Sequence, residues 1–95
     1  MATPTEDGRK AAAEVVMYAT ATCPYCTRAE ALLNARGATI AKIRVDLEPQ
    51  KRAEMMEKTG RRTVPQIYIG DTHVGGYEEL AALDHAGKLD AMLRA

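Results

Sequence analysis

Val15-Val16-Met17-Tyr18-Ala19-Thr20-Ala21-Thr22-Cys23-Pro24-Tyr25-Cys26 is the stretch that decides the fold. Val15 to Tyr18 is a short apolar run of strand formers and suits a buried strand. The next four residues are small and partly polar and suit a loop. From Pro24 onward Ala29, Leu32 and Leu33 recur at helical spacing. Pro24 fits the first helical position, where its missing N–H would be unpaired anyway, and Gly37 supplies the stop. Cys23 therefore falls where a loop turns into a helix. The free N–H groups and dipole of a helix start favour negative charge, and hence the thiolate, the reactive form of cysteine. Cys26 lies one turn later, so both sulfurs can face the same side and approach bonding distance. Cys23 is expected to attack and Cys26 to resolve, displacing a mixed disulfide to leave an internal one. Tyr25 is expected to project outward as a flat contact surface.

Working outward, Ile40-Ala41-Lys42-Ile43-Arg44-Val45 is a second β-rich run. Pro49 opens a helix through Met55 and Met56 that Gly60 terminates. Gln66-Ile67-Tyr68-Ile69 and Thr72-His73-Val74 flank Gly70-Asp71 and read as an antiparallel hairpin. Residues 77–86 and 89–94 complete the pattern as a helix broken at Gly87 and a short final helix. Strands separated by helices must cross over, which makes the first pair parallel. The reading is an α/β chain of order β-α-β-α-β-β-α, a four-stranded mixed sheet flanked by helices. Met55, Met56, Tyr18 and Tyr68 are read as packing residues, the tyrosines with a polar tip at the edge. His73 and His85 are read as surface residues.

A chain of 95 residues allows one domain: a flexible lead-in over residues 1–10 and a folded domain over 11–95. Thirteen basic and thirteen acidic side chains cancel to a formal net charge of zero. That balance supplies no long-range pull toward nucleic acid or an anionic membrane. No run approaches the roughly 18–20 apolar residues of a membrane helix. Residues 1–10 carry Glu6, Asp7, Arg9 and Lys10 without an apolar stretch, unlike a secretory signal. The expected compartment is the cytoplasm. A secreted domain of this size usually spreads more cysteines along the chain, and a bridge closing so small a loop constrains the unfolded chain little. Zinc normally takes four ligands, and Cys23 with Cys26 offers two. His73 and His85 lie in different elements without paired-ligand spacing, so no metal is expected.

Four features together resemble the dithiol glutaredoxins: Cys23-Pro24-Tyr25-Cys26, Thr63-Val64-Pro65, Gly75-Gly76 and Glu78-Glu79. The likeness covers nearly everything after the lead-in. It implies the thioredoxin fold and a glutathione-dependent enzyme, a monomer that reduces disulfide-containing or glutathionylated proteins in redox homeostasis and electron transfer. It implies that Pro65 is a cis-proline facing the cysteines and that the Val64 backbone pairs with the cysteinyl part of glutathione. Backbone N–H groups at Gly76 and Tyr77 would hold the γ-glutamyl carboxylate, as helix N-termini generally can. Glu79, and secondarily Glu78, would receive the γ-glutamyl ammonium. Tyr25, Thr63 and Pro65 would complete the glutathione-binding surface.

One position departs from the pattern. Many relatives carry a lysine three residues before the first cysteine, and here Thr20 stands there. Anion recognition then falls to Arg61 or Arg62, since a guanidinium can grip a carboxylate bidentately. Arg28 is a further candidate for stabilising the thiolate. An iron–sulfur carrier bridged by two subunits is a competing function, but dedicated carriers use C-G-F-S where this chain has Cys23-Pro24-Tyr25-Cys26. A thioredoxin is disfavoured by the absence of tryptophan and of the W-C-G-P-C pattern.

Overall fold

Proline and glycine set most of the boundaries. In the computed structural model, which describes residues 13–94, Pro24 and Pro49 open α1 (Pro24–Ala35) and α2 (Pro49–Thr59). Gly60 closes α2 in the left-handed region, φ 71°, with its N–H on the Met56 carbonyl, a conformation that costs glycine little. The strands are β1 (Val15–Ala19), β2 (Ile40–Arg44), β3 (Gln66–Ile69) and β4 (Thr72–Gly75), and α3 (Tyr77–His85) and α4 (Leu89–Arg94) follow. Each lies within a residue or two of the sequence expectation. The expected lead-in, residues 1–10, lies outside the described residues.

The four strands form one sheet in the order β2-β1-β3-β4. β1 runs parallel to β2, with Val15 opposite Ile40, because α1 carries the chain across between them. β3 is antiparallel to both β1 and β4, as a hairpin requires. This is the thioredoxin fold, a mixed sheet with helices on both faces.

Alternation along β1 divides the interior in two. Val15, Met17 and Ala19 join Leu33 of α1, Leu80 of α3, and Leu89 and Leu93 of α4 on one face. On the other face Tyr18 packs with Val45 and with Met55 of α2, and Met56 and Tyr68 lie against them. Tyr18 corrects the sequence expectation of a polar tip at the edge. Its ring is 1% exposed and its hydroxyl donates to Glu54 Oε2 at 2.7 Å. Burial and that carboxylate push the phenol up to about 12. β1 is central, so the hydroxyl finds its partner on the covering helix rather than in solvent.

The parallel strands β1 and β2 end side by side, and the Cys23 loop leaves from that end. Val45 N–H donates to the Ala19 carbonyl at 2.9 Å, and Ala21 N–H donates more loosely to Asp46 Oδ2 at 3.4 Å. Asp46 is itself gripped by Arg44 through two 2.7 Å bonds, which hold its carboxyl down to about 2.

Candidate active site

Cys23 is the N-cap of α1 and Cys26 the third residue of its first turn. An N-cap side chain accepts a backbone N–H from the first turn, and here the acceptor is sulfur: Cys26 N–H donates to Cys23 Sγ at 3.1 Å. Both cysteines are free thiols, Cys23 half-buried and Cys26 buried. Burial pushes the Cys26 thiol up to about 12, and its contact with Cys23 adds to the rise, while the Thr20 backbone opposes it. The pair is therefore unequal. One sulfur meets solvent at a helix start, and the other is a protonated thiol behind it.

Facing Cys23 across a gap is the segment before β3. The Cys23 thiol donates to the Val64 carbonyl at 3.7 Å, a long contact of the kind sulfur makes. The Val64–Pro65 peptide bond is cis. A groove of about 220 Å³ runs beside it, lined by Tyr25, Arg61, Thr63, Val64, Pro65, Gly76, Tyr77, Glu78 and Glu79. All nine are positions the sequence offered for binding, drawn from α1, the loop before β3, Gly76 and α3. Cys23 itself meets the groove through Val64.

The groove owes its shape to glycine. Gly75 has φ 112°, and a Cβ there would stand 3.0 Å from a Glu79 oxygen and 3.3 Å from the Arg61 guanidinium. A side chain there would be strained by that backbone and would force Glu79 and Arg61 to give way. The tight approach lets Glu79 Oε1 accept the Gly76 N–H at 2.7 Å, while Glu79 Oε2 lies 3.7 Å from Arg61 Nη1. The Gly76 bond and Arg61 together hold the Glu79 carboxyl below the ordinary glutamate range. The groove thus carries an anion, a guanidinium and the N-terminus of α3 within one short span.

Tyr25 is 52% exposed and stacks on Tyr77, ring centroids 6.2 Å apart. Arg28 lies over the Tyr25 ring at 5.4 Å, and this is the contact found for it. Of the two arginines offered for anion recognition, Arg61 lines the groove and Arg62, exposed, does not. Of the two histidines expected at the surface, His85 is exposed and His73 is half-buried. His73 stacks on Tyr68 at 5.0 Å and bonds to Gln66 at 2.7 Å. Gln66, which sequence reasoning passed over, is fully buried. A polar residue set into the apolar run Pro65-Gln66-Ile67-Tyr68-Ile69 was the available signal. Among the described residues no group of three or more His, Cys, Asp or Glu is arranged to hold a metal, and no helix is long and apolar enough to cross a membrane.

Comparison with known proteins gives a consistent result. The glutaredoxin family model matches residues 15–74. A glutaredoxin of Pseudomonas aeruginosa is 56% identical over 81 residues, covering 85% of this chain and 96% of the relative. Glutaredoxin 3 of Escherichia coli is 46% identical over 82 residues, 86% of this chain and 99% of the relative. Among solved structures, a buckwheat glutaredoxin–glutathione complex aligns with a TM-score of 0.79 at 33% identity, covering 85% of this chain and 76% of that one. A Brucella melitensis glutaredoxin in solution aligns with a TM-score of 0.77 at 46% identity, covering 93% and 94%. Dithiol, groove and kinship converge, and the chain belongs to the glutaredoxin family of thiol–disulfide oxidoreductases.

Proposed function

We propose that the chain reduces protein disulfides and glutathione-mixed disulfides with glutathione as the electron source, Cys23 attacking and Cys26 resolving. The observation that carries this reading is the groove beside Cys23, whose charges suit a zwitterionic peptide. Glu79, which holds the Gly76 N–H through one oxygen, would take the ligand's ammonium, and the N–H groups of the first turn of α3 from Tyr77 on would take its α-carboxylate. Arg61 would take the second carboxylate. Tyr25, Thr63, Val64 and Pro65 would wall the cysteinyl part, and Glu78 stands at the rim. The reading places the enzyme in the cytoplasm as a monomer, with redox homeostasis and electron transfer as its setting.

The chemistry is two thiol exchanges. With a glutathionylated protein, the Cys23 thiolate attacks the glutathione sulfur. The S–S bond breaks, the protein's thiolate leaves with the electron pair and takes a proton from solvent, and Cys23 carries glutathione. A second glutathione thiolate then attacks that mixed disulfide, releasing glutathione disulfide and the Cys23 thiolate. With a protein disulfide, Cys23 forms a mixed disulfide with one sulfur of the client. Cys26 loses its proton and displaces the client, leaving a Cys23–Cys26 disulfide that two glutathiones reduce. Once Cys23 is bound in a mixed disulfide it no longer holds up the Cys26 proton, so Cys26 becomes easier to ionise when its attack is due.

Glutathione-dependent turnover of a glutathionylated peptide and of a protein disulfide, in wild type, Cys23→Ser and Cys26→Ser, tests the assignment. Cys23→Ser is expected to lose both reactions. Cys26→Ser is expected to keep the first and lose the second. Activity in Cys23→Ser, or equal loss of both reactions in Cys26→Ser, would overturn it.

A further inference from the structure

Gln66 is the buried polar side chain of the described core, and its primary amide is fully used. The amide nitrogen donates to the Thr63 carbonyl at 3.0 Å and to Thr63 Oγ1 at 3.3 Å. The amide oxygen faces His73 Nε2 at 2.7 Å. A primary amide has two donors and an acceptor, and this arrangement fixes which end is which: nitrogen toward Thr63, oxygen toward the imidazole N–H. Burying such a group is costly unless it is paired, and a satisfied network in a low-dielectric interior holds its members to one geometry.

The member that matters is the Thr63 carbonyl. The Thr63–Val64 peptide is trans and planar, so its C=O and N–H point in opposite directions. A carbonyl drawn inward to Gln66 turns the Val64 N–H outward. That N–H has no hydrogen-bond partner among the described residues, and Val64 lines the groove.

We propose that Gln66 is a positioning residue that turns the Thr63–Val64 peptide plane so that the Val64 N–H is presented to a peptide carbonyl of the substrate, with His73 holding the far end of the amide. This rests on the reading that glutathione's cysteinyl unit lies along Val64. Gln66 touches neither substrate nor sulfur and acts through Thr63. Its effect is on recognition of a peptide-bearing disulfide and not on the reactivity of Cys23.

Rapid mixing of the reduced full chain with glutathione disulfide, and separately with 2-hydroxyethyl disulfide, gives two rates. Their ratio reports recognition of the peptide, because thiolate content cancels. In Gln66→Leu the ratio falls about tenfold, the weight of one hydrogen bond. Gln66→Glu is nearly isosteric and keeps an acceptor for His73, but as a carboxylate it donates nothing to Thr63. Its ratio is low near neutrality and recovers as the pH is lowered, since a protonated buried carboxyl can donate again. A wild-type ratio in both variants overturns the proposal. Equal slowing with both disulfides, or a deficit in Gln66→Glu that pH does not move, assigns Gln66 a purely structural role and overturns it too. A wild type without preference for glutathione disulfide instead fails the reading of the groove. That result is distinct from variants that keep a preference the wild type has.

Discussion

Cys23 Sγ accepts the backbone N–H of Cys26 at 3.1 Å, so the outward sulfur is held by the residue whose own sulfur is buried. The cap geometry places the two thiols differently. For Cys23 the contact is a backbone donor aimed at the outward sulfur, the arrangement of a helix N-cap. For Cys26 the nearby Cys23 sulfur adds to the burial that already resists ionisation. The asymmetry of roles is therefore built into one turn of helix.

That asymmetry is expected in alkylation. At neutral pH iodoacetamide should modify Cys23 and leave Cys26 intact, because the thiolate is the nucleophile and Cys26 is both buried and raised to about 12. In Cys23→Ser, Cys26 should stay unmodified over the time in which the wild type is fully labelled once. Peptide mapping by mass spectrometry checks both statements. First labelling at Cys26 would refute the order of reactivity.

Glu79 gives a binding prediction. In Glu79→Gln the side chain can still accept the Gly76 N–H but carries no charge for a ligand ammonium. A hydrogen bond to a charged group contributes about 1.5–3 kcal/mol, so the KM for a glutathionylated peptide should rise about tenfold or more. The kcat should change little, since the lost contact is made equally in ground and transition states. Steady-state kinetics over a range of substrate concentrations separates the two. An unchanged KM would remove Glu79 from the ligand site.

The frame was legible because its punctuation is local. Pro24, Pro49, Gly60 and Gly70-Asp71 each impose a conformation on their own neighbours, and their spacing alone orders the elements. Both cysteines and the groove residues were legible for a related reason, as short motifs in a fixed order. What escaped were side chains whose setting depends on how separate elements pack. Tyr18 reads as an ordinary strand residue, and only the packing of α2 on β1 brings Glu54 to its hydroxyl. The choice between Arg61 and Arg62 turns on which side of an irregular loop each occupies, which no periodicity reports. Gln66 and His73 sit on different strands, and pairing of Tyr68 with His73 across the β3–β4 hairpin sets their contact.

His73 also gives the chain a pH-dependent stability. Burial lowers its affinity for protons, the Arg61 charge lowers it further, and Glu79 opposes them in part. Gln66 and the Tyr68 ring, the other groups against it, carry no charge near neutrality. The folded state thus binds a proton at His73 less readily than the unfolded chain, whose histidine titrates near the ordinary 6.5. Below that value the unfolded state takes up more protons, so stability declines as pH falls through 6.5 toward the lower folded value, then levels for this group. Glu79, Asp84 and Glu54 have lowered values in the fold, and their contributions are lost in more acidic solution, as pH falls from the ordinary carboxylate values toward the lower folded ones. Urea midpoints compared at about pH 7.5 and pH 5.5 isolate the histidine window. The midpoint should fall with pH in the wild type, and the fall should be smaller in His73→Asn, which can still donate through a side-chain amide but does not titrate. The same pH dependence in both proteins would show that another group carries it.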